Sequence, residues 1–297
     1  MSAGADGLVA RLATAVAACW LLTSCEKAET GPDQAATVFG VPLAVFPAAT
    51  DVMGACELAP DEADIVRKMI ADRLPDPTPI CGFNPIERIR AVVIGGEQAS
   101  GETVFAIRGI ARRELSTCLG KLGNQPHDEG RLTSLVVDGK THWIGWLADD
   151  VFVVGFGRDR AFLERHLALE KPLDRSARVV QMLAPRTAQC VFASTSPALA
   201  PLLGPGFEGL GETRGGFAHS DGRVELTAAL HFATAGQADL AAQAIPRVVR
   251  EMGASVAPAA LMSVLADLTE VKRSGTDVSL RIAVDRAASL RLAEAMR

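Results

Sequence analysis

Tyrosine does not occur in this chain of 297 residues, and three tryptophans and eleven phenylalanines bring the aromatic share to only 5%. A carbohydrate-binding face is usually built on aromatic platforms, so this scarcity argues against one. A basic surplus is missing as well: 30 Lys and Arg stand against 35 Asp and Glu, a formal charge of −5, with no Lys/Arg cluster. Phosphate backbones need a positive surface, so nucleic acid is not an expected partner. The first apolar run, Leu12 to Leu22, is eleven residues long, short of the roughly 18 that cross a bilayer as a helix.

Catalytic signatures are also missing. There is no G-x-S-x-G elbow, H-E-x-x-H pair, S-x-x-K or Walker loop, and a non-enzyme without a cofactor is expected. Gly204-Pro-Gly-Phe-Glu-Gly209 has the G-x-G-x-x-G spacing, but a dinucleotide loop needs a strand before it and a helix after it. Here a helix is expected before and a strand after, so the glycines read as a connecting loop. The five histidines, at 127, 142, 166, 219 and 231, are dispersed, and no cysteine pair has C-x₂₋₄-C spacing, so no metal site is expected. His127 alone has adjacent carboxylates, in what reads as a solvated turn. Ser194-Thr195-Ser196 before Pro197 reads as a helix cap.

What is present begins at the N-terminus. A weakly basic start with Arg11, the apolar run and small residues follow in the order of an export signal. The run ends in Leu22-Thr23-Ser24-Cys25, which resembles the lipobox of bacterial lipoproteins. That resemblance implies removal of residues 1–24, acylation of Cys25 and a lipid-anchored protein of the bacterial cell envelope, facing the periplasm or the cell surface. The cleavage takes away Arg11 and Asp6, one charge of each sign, so the balance stays at −5. Residues 25–45 are expected to form a lipidated flexible tether, polar from Glu26 to about Thr37.

Four cysteines then remain, Cys56, Cys81, Cys118 and Cys190. An even number in an exported chain favours disulfides. Cys81 opens a turn before a strand and Cys118 lies on the apolar face of the helix after the next strand, which favours that pair and leaves Cys56 with Cys190. The competing reading makes Cys118 a small buried residue between Leu115, Leu119 and Leu122.

The body, at 48% hydrophobic content in the whole chain, holds enough apolar material for real cores. In residues 46–172 the pattern predicts a strand over Asp51–Leu58, a helix from Pro60 to Leu74, and a hairpin of Ile89–Gly95 and Thr103–Gly109. A helix over Arg112–Leu122, a loop over Gly120–Gly130, a three-stranded meander between Leu132 and Phe156 and a helix over Asp159–Leu169 complete this half. Residues 173–297 repeat the order: a helix over Ser176–Leu183, a strand over Gln189–Ser194, a short helix over Pro197–Leu203, and a hairpin of Arg214–His219 and Arg223–Phe232. A long helix from Ala235 carries Ala238, Ala241, Ile245, Val248 and Met252 on one stripe. A short helix over Ala257–Ala266, a hairpin of Leu268–Arg273 and Asp277–Val284, and a last helix from Arg286 end the chain.

Hairpins alternating with helices predict the α+β class, antiparallel sheets with helices on one face, internally duplicated as hairpin-helix units. With Cys81-Gly82 before a strand, Arg108-Gly109 ending the next and Cys118 in the following helix, the body resembles uncharacterised bacterial lipoproteins built from duplicated α+β units. That resemblance implies no catalytic residue. The expected role is a non-catalytic binding or scaffold module, its partners the membrane through the lipid anchor and an envelope protein. A second reading is a carrier of an apolar ligand such as lipid, lodged between the sheet and Ala238, Ala241, Ala242 and Ala244.

Overall fold

Apolar stretches punctuated by Gly and Asp turns fold into antiparallel strands, and the chain divides into two compact units between Ala177 and Arg178. The structure, a computed structural model, describes residues 37–58, 77–137, 139–155, 159–183, 188–220, 223–253 and 259–285. Cys25 with the lipobox, the helix expected from Pro60 and the one expected from Arg286 lie outside the described residues.

In the first unit, β1 (Val52–Glu57), β2 (Ala91–Glu97) and β3 (Glu102–Arg108) are followed by α1 (Arg112–Lys121). Then come β4 (His127–Glu129), β5 (Leu132–Val137), β6 (Lys140–Ala148), β7 (Val151–Val154) and α2 (Arg160–Leu167). Each strand pairs antiparallel with its neighbour in the order β1-β2-β3-β7-β6-β5-β4. Period-2 alternation sends Ile144 and Trp146 of β6 to one face, where they pack with Phe152, Leu115 and Leu119. Gly145 points to the other face, where a Cβ would stand 3.1 Å from Leu167 of α2. The two helices therefore cover opposite faces of this sheet. The expectation of helices on one face does not hold here, because both faces of β6 are apolar at its centre and each needs a cover.

The segment Gly120–Gly130, expected as a loop, contains the edge strand β4. Its polar residues are held from outside: Arg112 bonds Asp128 Oδ1 at 2.8 Å and the Gly130 carbonyl at 2.7 Å. Asp159 accepts from Phe162 N at 2.9 Å and so caps α2. His166, 3% exposed on α2, bonds the Val45 carbonyl through Nδ1 at 2.9 Å.

The second unit contains α3 (Arg178–Met182), β8 (Cys190–Ser194), α4 (Leu199–Leu203), β9 (Leu210–Ser220) and β10 (Arg223–Phe232). It continues with α5 (Ala235–Gly253), α6 (Ala259–Asp267), β11 (Thr269–Ser274) and β12 (Asp277–Val284). The strands run β11-β12-β10-β9-β8, all antiparallel. α5 lays Ala238, Ala241, Ile245 and Val248 onto Ala228, Leu230, Phe232 and Val278 of the sheet, with Phe207 and Leu210 closing the cluster. β9 extends four residues earlier than the sequence suggests, through a glycine-rich stretch. At Gly215 a side chain would collide with the Phe192 ring of β8, so the glycine that weakens the strand signal is what lets the two strands meet.

Candidate functional site

Strand register in the second unit sets Arg214 of β9 opposite Ala229 of β10, Ala229 opposite Ser279 of β12, and Ser279 opposite Lys272 of β11. A second row on the same face runs through Val191, Gly216, Thr227, Arg281 and Glu270. These side chains point away from α5, since Ala228, Leu230 and Val278, one position off, form the core beneath that helix. With Met182, Leu183 and Ala188, both rows line a cavity of about 440 Å³, within the usual size range of small-ligand pockets.

The cavity has two chemically different ends over a floor of small residues. Met182, Leu183, Ala188 and Val191 make the apolar end, while Lys272, Glu270 and Arg281 lie at the far side and Arg214 stands between. Gly216 keeps the floor low: a Cβ there would be 2.8 Å from the Ala188 Cβ. Arg281 is already committed, bonding Glu225 at 2.8 and 2.9 Å and lying 3.6 Å from Glu270. Those bonds raise the Arg281 pKa, and the Arg281 hydrogen bonds hold the Glu225 carboxyl below the usual range. Arg214 and Lys272 have no carboxylate within ion-pairing distance among the described residues.

Comparison with known proteins yields a likeness of fold. No family model matches the chain, and no curated protein does. The structure is similar to crystal form III of TP0453, with a TM-score of 0.54 at 15% identity over 85% of this chain and 98% of that one. Crystal form I of TP0453 gives 0.50 at 15% identity, over 86% of this chain and 95% of that one. Identity this low speaks to the fold alone. Among the described residues no helix is long and apolar enough to cross a membrane.

The residues that sequence patterns singled out sit apart from the cavity or at its margin. Cys81 and Cys118 are joined in a disulfide that ties the short helix Thr78–Cys81 to α1, with Cα atoms 4.6 Å apart; Cys81, expected to open a turn, ends that helix. Cys56 of β1 takes part in a disulfide, and so does Cys190 of β8. Gly204 and Gly206 take left-handed φ of 86° and 98° in the loop between α4 and β9, and the Gly206 amide is taken by Glu208 Oε2 at 3.0 Å. Helix before and strand after is the reverse of a dinucleotide loop. Ser194 turns its hydroxyl to the Ser196 amide at 3.1 Å, and α4 has Ala198 at its N-cap with no side-chain cap bond, so the expected hydroxyl cap is absent. His127 lies on β4, 3.6 Å from Glu129. Among the described residues no three His, Cys, Asp or Glu gather as a metal site.

The space beneath α5 that the carrier reading assigns to a ligand is filled: Ala238 and Ala241 are 0% exposed in a closed core, with Ala242 and Ala244 packed against it. The cavity lies on the opposite face of the sheet. Arg214, Gly216 and Lys272, the residues that give it its character, carried no motif. The available signal was the run of small and charged residues alternating with apolar ones in β9, β10 and β12, which marks one sheet face as unfilled.

Proposed function

We propose that this protein is a non-catalytic, lipid-anchored module of the bacterial envelope that holds a small molecule in its second unit. The cavity carries this reading, because open space over a floor of Gly216, Ala229 and Ser279 is walled on one side by apolar residues and on the other by charge. Its ionisable lining consists of Arg214, Lys272, Arg281 and Glu270. The carboxylate is engaged with Arg281, so the set offers binding and positioning rather than an acid–base pair. Lipid anchoring at Cys25 would keep the bound molecule at a membrane surface.

The two units are read as diverged copies of one module. In each, a lone strand, a hairpin, a helix and a further antiparallel run follow in order, four strands long in the first unit and two in the second, and the last strand of that run pairs with the second strand of the hairpin.

The test is recovery of the native protein from the membranes of its own host, with mass spectrometry of everything bound to it. The expected result is an acylated Cys25 and a stoichiometric small molecule that is lost on Ala229→Phe, which fills the cavity. A protein recovered from the cytosol with its first residues intact, or one free of any small molecule, overturns the proposal.

A further inference from the structure

We infer that the cavity selects an elongated molecule with an apolar body and an acidic group, and that Arg214 and Lys272 read the acid. This rests on the reading that the cavity binds a small molecule and names its chemical class. Three observations carry it. First, the row Arg214, Ala229, Ser279, Lys272 spans four strands, so the two cations stand at its ends, roughly 14 Å apart at the backbone. Only small side chains lie between them, and a long molecule can lie flat across the strands.

Second, the charge is not balanced. Glu225 and Glu270 both serve Arg281. That leaves Arg214 and Lys272 as two positive groups on the cavity's edge that make no ion pair among the described residues, with Glu212 near Arg214 but not bonded to it. A carboxylate, sulfonate or phosphate accepts charge-assisted hydrogen bonds from them, which a neutral ligand cannot match. Third, the β8 side of the cavity, beyond Arg214 and farthest from Lys272, is dry in character. Met182, Leu183 and Val191 are buried side chains that reach the cavity, and burying a ligand's hydrocarbon against them provides the non-directional part of affinity.

A matched pair of fluorescent probes separates these contributions: 1-anilinonaphthalene-8-sulfonate and N-phenyl-1-naphthylamine, the same aromatic body with and without the acid. The protein is the full chain carrying Cys25→Ala, so that neither acyl groups nor detergent compete for the probes. The sulfonate is expected to bind more tightly than the neutral amine. Arg214→Gln with Lys272→Gln weakens the sulfonate about tenfold, in line with two partly exposed charge contacts, and leaves the neutral probe unchanged. Raising the salt concentration has the same selective effect. Ala229→Phe abolishes binding of both, and Ser279→Leu, at an exposed position in the same row, does so if the first variant fails to fold. If both probes bind in the cavity but the sulfonate is indifferent to loss of the two cations, the acid-reading inference is wrong while small-molecule binding stands. If neither probe binds, or filling the cavity changes nothing, both readings fall.

Discussion

The indole Nε1 of Trp146 donates to Thr133 Oγ1 at 2.9 Å, a hydrogen bond wholly inside the first unit. Thr133 in turn donates to Asp128, whose carboxylate also receives Arg112, and Arg112 lies 5.6 Å over the Trp146 ring. Burial alone would raise the Asp128 pKa, but the bonds from Thr133 and Arg112 hold it below its usual value. The closed circuit fastens the edge strand β4 to β5 and β6.

Removing the middle of that circuit should therefore cost more than a surface change. Thr133→Val keeps the shape but leaves a buried indole N–H unpartnered, a loss of roughly 1–3 kcal/mol. Urea unfolding followed by tryptophan fluorescence is the measurement, and Thr133→Ser should restore most of the stability. Equal stability of the valine and serine variants would deny the hydrogen bond its role.

His166 should make the first unit sensitive to mild acid. Burial lowers its pKa from 6.5, with the Val45 carbonyl and Glu102 opposing and Arg165 assisting. Above 6.5 neither the folded nor the unfolded chain holds the proton, so this residue adds no pH dependence there. As the pH falls through 6.5 the unfolded chain is protonated first, and stability declines until the depressed folded value is reached. Melting temperatures between pH 7.5 and pH 5 should show this slope, and His166→Gln should flatten it.

The Cys81–Cys118 bridge closes a loop of 37 positions. Chain entropy sets its stabilisation at about 4 kcal/mol. Replacing both cysteines with alanine should lower the denaturant midpoint to match, and a reducing agent should then have a smaller effect on the variant than on the parent.

Gly95 faces the Phe46 ring so closely that a Cβ would stand 2.6 Å from it, and Phe46 is fully buried. Gly95→Ala should overpack the core and destabilise by roughly 1–3 kcal/mol. Phe46→Leu on its own leaves a void, so each single change is harmful. The pair together should be less destabilising than the two separately, a coupling that a double-mutant cycle of unfolding free energies measures.

Much of the fold was legible because it is written in local pattern. The hairpin read at Ile89–Gly95 and Thr103–Gly109 appears as Ala91–Glu97 and Glu102–Arg108, and the helix read at Arg112–Leu122 ends one residue earlier. The stripe on α5 was equally clear, since Ala238, Ala241, Ile245 and Val248 repeat at helical spacing and all are buried. Edge strand β4 was hidden because His127-Asp-Glu129 has no apolar alternation; its order comes from Arg112, fifteen residues upstream, through side-chain bonds that no local signal announces. The cavity was hidden for a related reason. Arg214 and Lys272 are brought into one row by the register of four strands, and a one-residue slip would send them to opposite faces.

The bridge from Cys81 to Cys118 encloses the whole hairpin of β2 and β3. A protease that nicks the exposed turn at Ser100-Gly101 would thus cut the chain without releasing a piece. The two fragments would travel as one band on a gel until dithiothreitol parted them, and the nicked molecule would keep its parts together.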